Sequence, residues 1–270
     1  MPELPEVETT RRGLTPHLVG KHITEVRVRD ARLRWPVPDD YAALMRGARI
    51  DAIERRAKYL LWHSAAGTSI VHLGMSGSLR VISPEIAPRK HDHIEWQLDS
   101  GMVVRLHDPR RFGCVLWAAD ADSHTLIKNL GPEPLGNEFH GDWLFERSRG
   151  RKQAIKTFIM DAKQVVGVGN IYASEALFRA GILPTRAAGR VSRARYEGLA
   201  AAIRSVLSDA ISAGGTTLRD FLNDSGEPGY FKQSLSVYGR AEEACKVCGQ
   251  AVRTKVIGQR SSFYCTTCQR

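Results

Sequence analysis

The chain has 270 residues, 43% apolar and 25% charged, which excludes a disordered or collagen-like polymer and suffices for a core without disulfide staples. Lysine and arginine number 39 against 29 aspartates and glutamates, a net charge of +10. That excess points to nucleic acid ahead of an anionic membrane surface, because no basic amphipathic helix stands out.

In chain order, the first ten residues hold three glutamates and two prolines, so no signal peptide is expected. A helix is predicted from about Pro5 to Leu14, since proline suits a first turn where its missing N–H costs nothing. Short runs rich in Val, Ile, Leu and Trp follow: Ile23–Arg29, Ile50–Arg56, Tyr59–Trp62, Ile70–Leu73, His93–Leu98, Val103–Leu106 and Val115–Trp117. Turn formers separate many of them, and several alternate in polarity. This is the pattern of a β-sandwich or barrel. Cys114 sits in an apolar run and reads as a buried core thiol. Turn formers between Gly131 and Gly136 mark a linker. Helices are then predicted over Ala154–Met160 and Ile171–Ala180, flanking a turn at Val165–Gly169. Ser192 N-caps a further helix with Tyr196, Leu199, Ile203, Val206 and Ala210 on one face, stopped at Gly214 and Gly215. The most apolar window, 165–183, carries Glu175 and Arg179, so no membrane span is expected.

Two features carry chemistry. Cys245 and Cys248, then Cys265 and Cys268, form a C-x2-C-x16-C-x2-C pattern, the spacing of a four-cysteine zinc site. Four thiolate ligands leave no open position, so the metal is structural rather than catalytic. Arg253–Ile257 and Ser261–Tyr264 pair between the knuckles, with Gly258, Gln259 and Arg260 at the hairpin tip. The second feature is the N-terminus. Removal of Met1 leaves Pro2 with a free secondary amine, and an α-amine titrates near 7.7–8.0, so a fraction is nucleophilic at neutral pH. Attack on an aldehyde-level carbon gives an iminium ion with no N–H to lose, a strong electron sink. Glu3 and Glu6 lie close enough along the chain to move protons or support the cation. The same acids could simply complement a helix dipole.

The whole chain resembles the bacterial formamidopyrimidine-DNA glycosylase (8-oxoguanine DNA glycosylase/AP lyase) family. The resemblance runs through Pro2–Thr9, Arg56–Leu60, His72–Gly77, His107–Gly113, Val166–Glu175, Gly226–Phe231 and the cysteine quartet. It implies an α+β fold in two domains: an N-terminal β-sandwich with flanking helices over 1–131, and a helical helix-two-turn-helix domain over 132–235 that carries a four-cysteine zinc-finger hairpin over 236–270. It implies a bifunctional enzyme of base excision repair. Pro2 attacks C1′ of the damaged nucleoside, Glu3 donates a proton in base release, and Lys58 is the general acid of the β-elimination that follows. Arg260 binds phosphate and assists the second elimination, and Glu6 is a supporting acid. Met75, Arg110 and Phe112 would fill the gap left by the flipped base. His91, Arg151, Lys156, Gly169 and Asn170 are expected DNA contacts, and Gly226–Phe231 resembles a loop that closes over the lesion. The expected partner is double-stranded DNA with a damaged base, met by a monomer in the cytoplasm at the nucleoid. Two alternatives stay open: the sister glycosylase for oxidised pyrimidines, and a zinc-ribbon DNA-binding protein with no chemistry.

Overall fold

The computed structural model describes residues 2–214 and 235–270, so the Gly226–Phe231 motif lies outside the described residues. The chain divides into two compact units, one over Met1–Lys128, the other over Asn129–Ser212 and the C-terminal segment to Arg270.

The first unit begins with α1 (Leu4–Leu18), which buries Leu4, Val7, Leu14 and Leu18. It runs one turn beyond the predicted end and through Pro16. An interior proline costs about 3 kcal/mol, and full burial of a leucine such as Leu18 returns roughly 1.5–3 kcal/mol. Two four-stranded antiparallel sheets follow. One has the order β1 (Ile23–Val28), β6 (Asp92–Leu98), β7 (Val103–His107), β5 (Ser78–Ile82); the other runs β2 (Ala52–Arg56), β3 (Tyr59–Ser64), β4 (Gly67–His72), β8 (Cys114–Ala118). A short helix, α2 (Tyr41–Met45), closes one flank of β1. One apolar cluster joins both sheets and α1, with Trp62 and Trp96 in edge contact at 4.9 Å. Trp96 Nε1 donates to the Tyr41 hydroxyl at 3.0 Å, which shares a 2.8 Å hydrogen bond with Ser69. This is the sandwich that the alternation predicts.

The apolar runs did not reveal α2 or β5. Arg80 interrupts β5, yet it is buried and pairs with Asp92 at 3.1 Å. Beside it Arg105 pairs with Glu95 at 2.5 Å and donates to the carbonyls of Ile86 and Ala87. Buried charges are tolerated because each meets its opposite, and Arg105 also tethers the loop leading to His91.

The second unit comprises α3 (Gly141–Ser148), α4 (Ile155–Ile159), α5 (Asn170–Arg179), α6 (Arg193–Gly214) and a hairpin of β9 (Arg253–Ile257) with β10 (Arg260–Tyr264). Ser192 caps α6, accepting from the Arg195 and Tyr196 amides, and the predicted face from Tyr196 to Ala210 is buried. Helix α5 carries the hairpin segment. Phe178 packs on the cluster around Val237 and Val252. The Glu175 carboxylate accepts backbone N–H groups of Ser236, Val237 and Tyr238 at 2.8–2.9 Å. At the far end Gln269 bridges the Cys265 amide and the Ile182 carbonyl.

Removing the Glu175 carboxylate strands three amides. Glu175→Ala should cost about 3 kcal/mol in chemical denaturation of the zinc-loaded protein, with accelerated hydrogen exchange at Ser236, Val237 and Tyr238. Wild-type exchange there would show that this clasp does not hold the segment.

Candidate active site and metal centre

Pro2 and Glu3 are both buried, Glu3 to 1% exposure. Glu3 is the N-cap of α1, its carbonyl accepting from the Val7 amide. Glu6 reaches back to accept the Glu3 backbone N–H at 2.8 Å, as in a capping box. The acidic start therefore has a structural job as well as a chemical possibility. One turn on, buried Glu8 holds Arg11, Arg12 and Arg55. Burial pushes the Glu8 pKa up, but Arg11 and Arg12 outweigh it and hold the carboxyl below its ordinary value. Arg55 belongs to β2, so this cluster pins the N-terminal helix to the hairpin that carries Lys58.

Lys58 follows Ala57 in the two-residue turn between β2 and β3. Ala57 has φ 56°, a left-handed conformation that costs a residue with a Cβ about 1 kcal/mol or more. The other non-glycine residues at positive φ, among those described, are His91, Arg111, Glu242 and Gln259. Four of the five are, or adjoin, a predicted site residue: Lys58, His91, the Arg110–Phe112 pair, Arg260. Strain of this kind concentrates where a fold holds a functional group in place.

His72 faces Tyr59 across the β3–β4 ladder with ring centroids 4.8 Å apart. Burial first, then the charges of Lys58 and Arg34, lower its pKa to about 4. Its Nδ1 accepts the Gly74 amide at 2.9 Å, so the neutral ring carries its proton on Nε2. Met75 and Phe112 lie on two turns, Gly74–Gly77 and Asp108–Gly113, beside glycine as the sequence suggests. Phe112 is 43% exposed with the Arg110 guanidinium 4.8 Å from its ring centroid. His91 is partly buried, edge-on to His93 and His107 at 6.1 Å each. Cys114 is a core thiol as expected, its pKa raised by burial to about 12.

In the second unit Gly169 is the N-cap of α5 and Asn170 its first residue. Lys156 is 1% exposed, and its ammonium donates to Asn170 Oδ1 at 2.6 Å, Ser262 Oγ at 2.7 Å and the Ser261 carbonyl at 3.2 Å, bonds that tie the start of α5 to β10. One expectation needs correction. Arg260 is not at the hairpin tip. It is the first residue of β10, paired with Ile257, and the tip is the Gly258–Gln259 turn with φ 55° and 61°, both left-handed as a type I′ turn requires. Arg260 remains exposed, as does Arg151, which lines an open groove with Glu146, Arg147, Arg149 and Gly150.

The four predicted ligands converge. The sulfurs of Cys245, Cys248, Cys265 and Cys268 all lie within 4.8 Å of one another, with Cys248 to Cys265 at 3.4 Å and Cys245 to Cys268 at 3.9 Å. Zinc–sulfur bonds of about 2.3 Å in a tetrahedron place sulfurs about 3.8 Å apart, whereas a disulfide needs about 2.05 Å. The residues fit one structural zinc ion. Without a cation the group is frustrated: burial and the neighbouring thiols raise Cys268 to about 12.

Sequence reading passed over His72 and Glu175, which lie inside recognisable motifs but act on partners distant in the chain or on the opposite strand. Only packing brings those partners together.

The His72 shift has a defined sign. The unfolded chain takes up a proton near pH 6.5 and the native ring near 4, so native stability is full above 6.5 and falls as pH drops toward 4, by about 2–3 kcal/mol. His72→Asn should flatten that part of the stability–pH curve, and an unchanged slope would remove His72 as its source. Purified protein should carry one zinc per chain. Cys268→Ser should lose it while the near-UV signal of the Trp62–Trp96 pair persists, and full zinc retention would refute the ligand set.

Three family models cover the chain: the formamidopyrimidine-DNA glycosylase N-terminal domain over residues 1–115, its H2TH domain over 130–222, and a zinc finger found in FPG and IleRS over 242–270. Proteins named formamidopyrimidine-DNA glycosylase from Stutzerimonas stutzeri and Syntrophotalea carbinolica are each 58% identical, with both chains fully covered. Among solved structures, the MutM (Fpg) protein of Thermus thermophilus aligns with a TM-score of 0.86 at 38% identity, covering 99% of this chain and 98% of that one. Lactococcus lactis Fpg, bound to DNA containing N7-benzyl-Fapy-dG, aligns at 0.90 and 30% identity over the whole of both chains. With its sandwich, its helical unit and its cysteine quartet each matched in order, the chain belongs to the formamidopyrimidine-DNA glycosylase family.

Proposed function

We propose that this chain is a DNA glycosylase and AP lyase of base excision repair that removes oxidised purines, chiefly 8-oxoguanine opposite cytosine and formamidopyrimidines. The observation that carries the reading is the anchored N-terminus. Pro2 and Glu3 are held at the start of a helix whose apolar face is buried in the sandwich, in a family whose relatives are solved on DNA with a damaged purine.

The chemistry follows from the groups. A base must leave the stack before its sugar can be reached. The Pro2 amine forms a bond to C1′, the glycosidic bond breaks, and Glu3 supplies a proton in that exchange. The resulting iminium acidifies the C2′–H bond. Loss of that proton expels the 3′ phosphate, with Lys58 as general acid, and a second elimination releases the 5′ phosphate. Glu6 supports this by fixing the Glu3 backbone. Met75, Arg110 and Phe112 enter the duplex: the apolar pair unstacks a base step and Arg110 offers forked donors to the orphaned base. His91, Arg151, Asn170 and the Gly169 N-cap contact the DNA backbone. Arg260 binds phosphate near the second elimination, and Lys156, bonded to Asn170 and to the start of β10, joins the phosphate contacts at the head of α5.

We assign the sugar chemistry to residues 1–131, duplex binding to 132–235 and the zinc finger to 236–270. One terminus and one metal centre per chain suffice, so the enzyme acts as a monomer, and its substrate places it in the cytoplasm at the nucleoid. The structural zinc supplies rigidity, not chemistry. A second reading has one observation in its favour: the Lactococcus relative is also solved with DNA containing an oxidised pyrimidine. Parallel excision of 8-oxoguanine and 5,6-dihydrouracil duplexes ranks the two, with a pyrimidine preference overturning the purine assignment.

Borohydride trapping on an 8-oxoguanine duplex, followed by peptide mapping, should find the adduct on Pro2. Glu3→Gln should bind that duplex within about threefold of wild type while base excision falls by about 100-fold or more. Wild-type excision by this variant would remove Glu3 from the mechanism. An adduct mapped elsewhere would remove Pro2.

A further inference from the structure

Met75 and Phe112 lie on separate turns, 37 residues apart in the sequence. Their backbones touch. A Cβ on Gly74 would stand 2.3 Å from the Phe112 carbonyl carbon and 2.4 Å from the Gly113 nitrogen, and Gly74 has φ 64°. Only glycine permits this approach.

At the junction lies Asp108, fully buried. Its two carboxylate oxygens divide between the turns. Oδ1 accepts the Ser76 hydroxyl at 3.0 Å, one residue beyond Met75; Oδ2 accepts the Gly113 amide at 2.8 Å, one residue beyond Phe112. The Asp108 backbone is held from behind, its amide by the His91 carbonyl and its carbonyl by His93 Nε2 and the Arg111 amide. A buried carboxylate with both oxygens engaged is rigid, and losing either partner is costly.

We propose that Asp108 is a positioning residue that locks the Met75 turn and the Arg110–Phe112 turn into one body, so that the wedge enters the duplex as a unit. The inference rests on the reading that these two turns enter DNA. It explains why an acid, rather than another apolar residue, occupies a fully buried place beneath a DNA-facing surface. One carboxylate serves two turns, whereas an alanine in its place leaves the Ser76 hydroxyl and the buried Gly113 amide without their shared partner.

The test is a double-mutant cycle read by single-turnover base excision on an 8-oxoguanine duplex. A 2-aminopurine placed beside the lesion reports wedge insertion independently of chemistry. Asp108→Ala should slow excision and reduce the 2-aminopurine signal at least tenfold, and Ser76→Ala, which removes one arm, about threefold. In a Met75→Ala/Phe112→Ala background, where no wedge remains to position, each should change excision by less than twofold. Equal losses in both backgrounds, or no loss in either, would overturn the proposal. Should Asp108→Ala fail to fold, judged by thermal melting, Ser76→Ala alone decides the matter by the same comparison. If Met75→Ala/Phe112→Ala itself excises and inserts like wild type, the wedge reading fails, and the role of Asp108 fails with it. Loss in the wedge variant together with additive Asp108 effects refutes the positioning role alone.

Discussion

A chain terminus is ordinarily the least ordered part of a protein, yet the proposed nucleophile is the amine of Pro2. The fold meets this constraint by making the terminus the start of a helix. Leu4 and Val7 are buried within the first turn, Leu14 and Leu18 within the last, and Glu8 ties the middle to Arg55 of β2. Because Lys58 sits on the hairpin that β2 opens, the same packing brings an amine, an acid and a lysine into one unit. The sandwich is thus the mount for the proposed nucleophile.

Backbone strain and buried charge are the two devices that aim the remaining groups. Ala57, His91, Arg111 and Gln259 adopt left-handed conformations at or beside residues proposed to act on or bind DNA. Such strain persists because the surrounding ladders and core over-determine the turn. Buried charges work in the same way at longer range. Lys156 joins α5 to β10, Glu175 joins α5 to the segment before the zinc knuckle, and Asp108 joins two turns of the sandwich. Each is an ion with every visible hydrogen bond engaged, and each joins segments that the chain order keeps apart. In hydrophobic packing alone these segments could slide. Directional bonds remove that freedom.

The two units carry different burdens. The first holds the groups proposed to attack the sugar, built on a core of 23 buried apolar residues among those described. Among the described residues, the second has a cysteine-bearing segment whose buried cluster is Val237, Val252, Cys245 and Cys265. So small a core cannot stabilise itself, which is why the metal and the Glu175 clasp are needed there.

Much of this was legible without coordinates. Short apolar runs bounded by turn formers marked seven of the eight sandwich strands, Ser192 and the apolar face marked α6, and the cysteine spacing marked the metal centre, because each is a local pattern. Residue type and the family's motifs singled out Pro2, Glu3 and Lys58, on which the proposed chemistry rests. What the amino-acid order alone did not determine was set by contacts between distant segments. Strand β5 was hidden by Arg80, whose charge is acceptable only because Asp92 arrives from another strand. Lys156 was legible as a cation suited to phosphate, but not its partners Asn170, Ser261 and Ser262, which α5 and β10 bring around its ammonium. Nothing in the residue order marked Asp108 within the His107–Gly113 motif; its place comes from the Met75 turn and the Phe112 turn meeting on either side of it. Local pattern states what a residue can do; the partners that fix its role come from the other end of the chain, and only the folded structure brings them within hydrogen-bond reach.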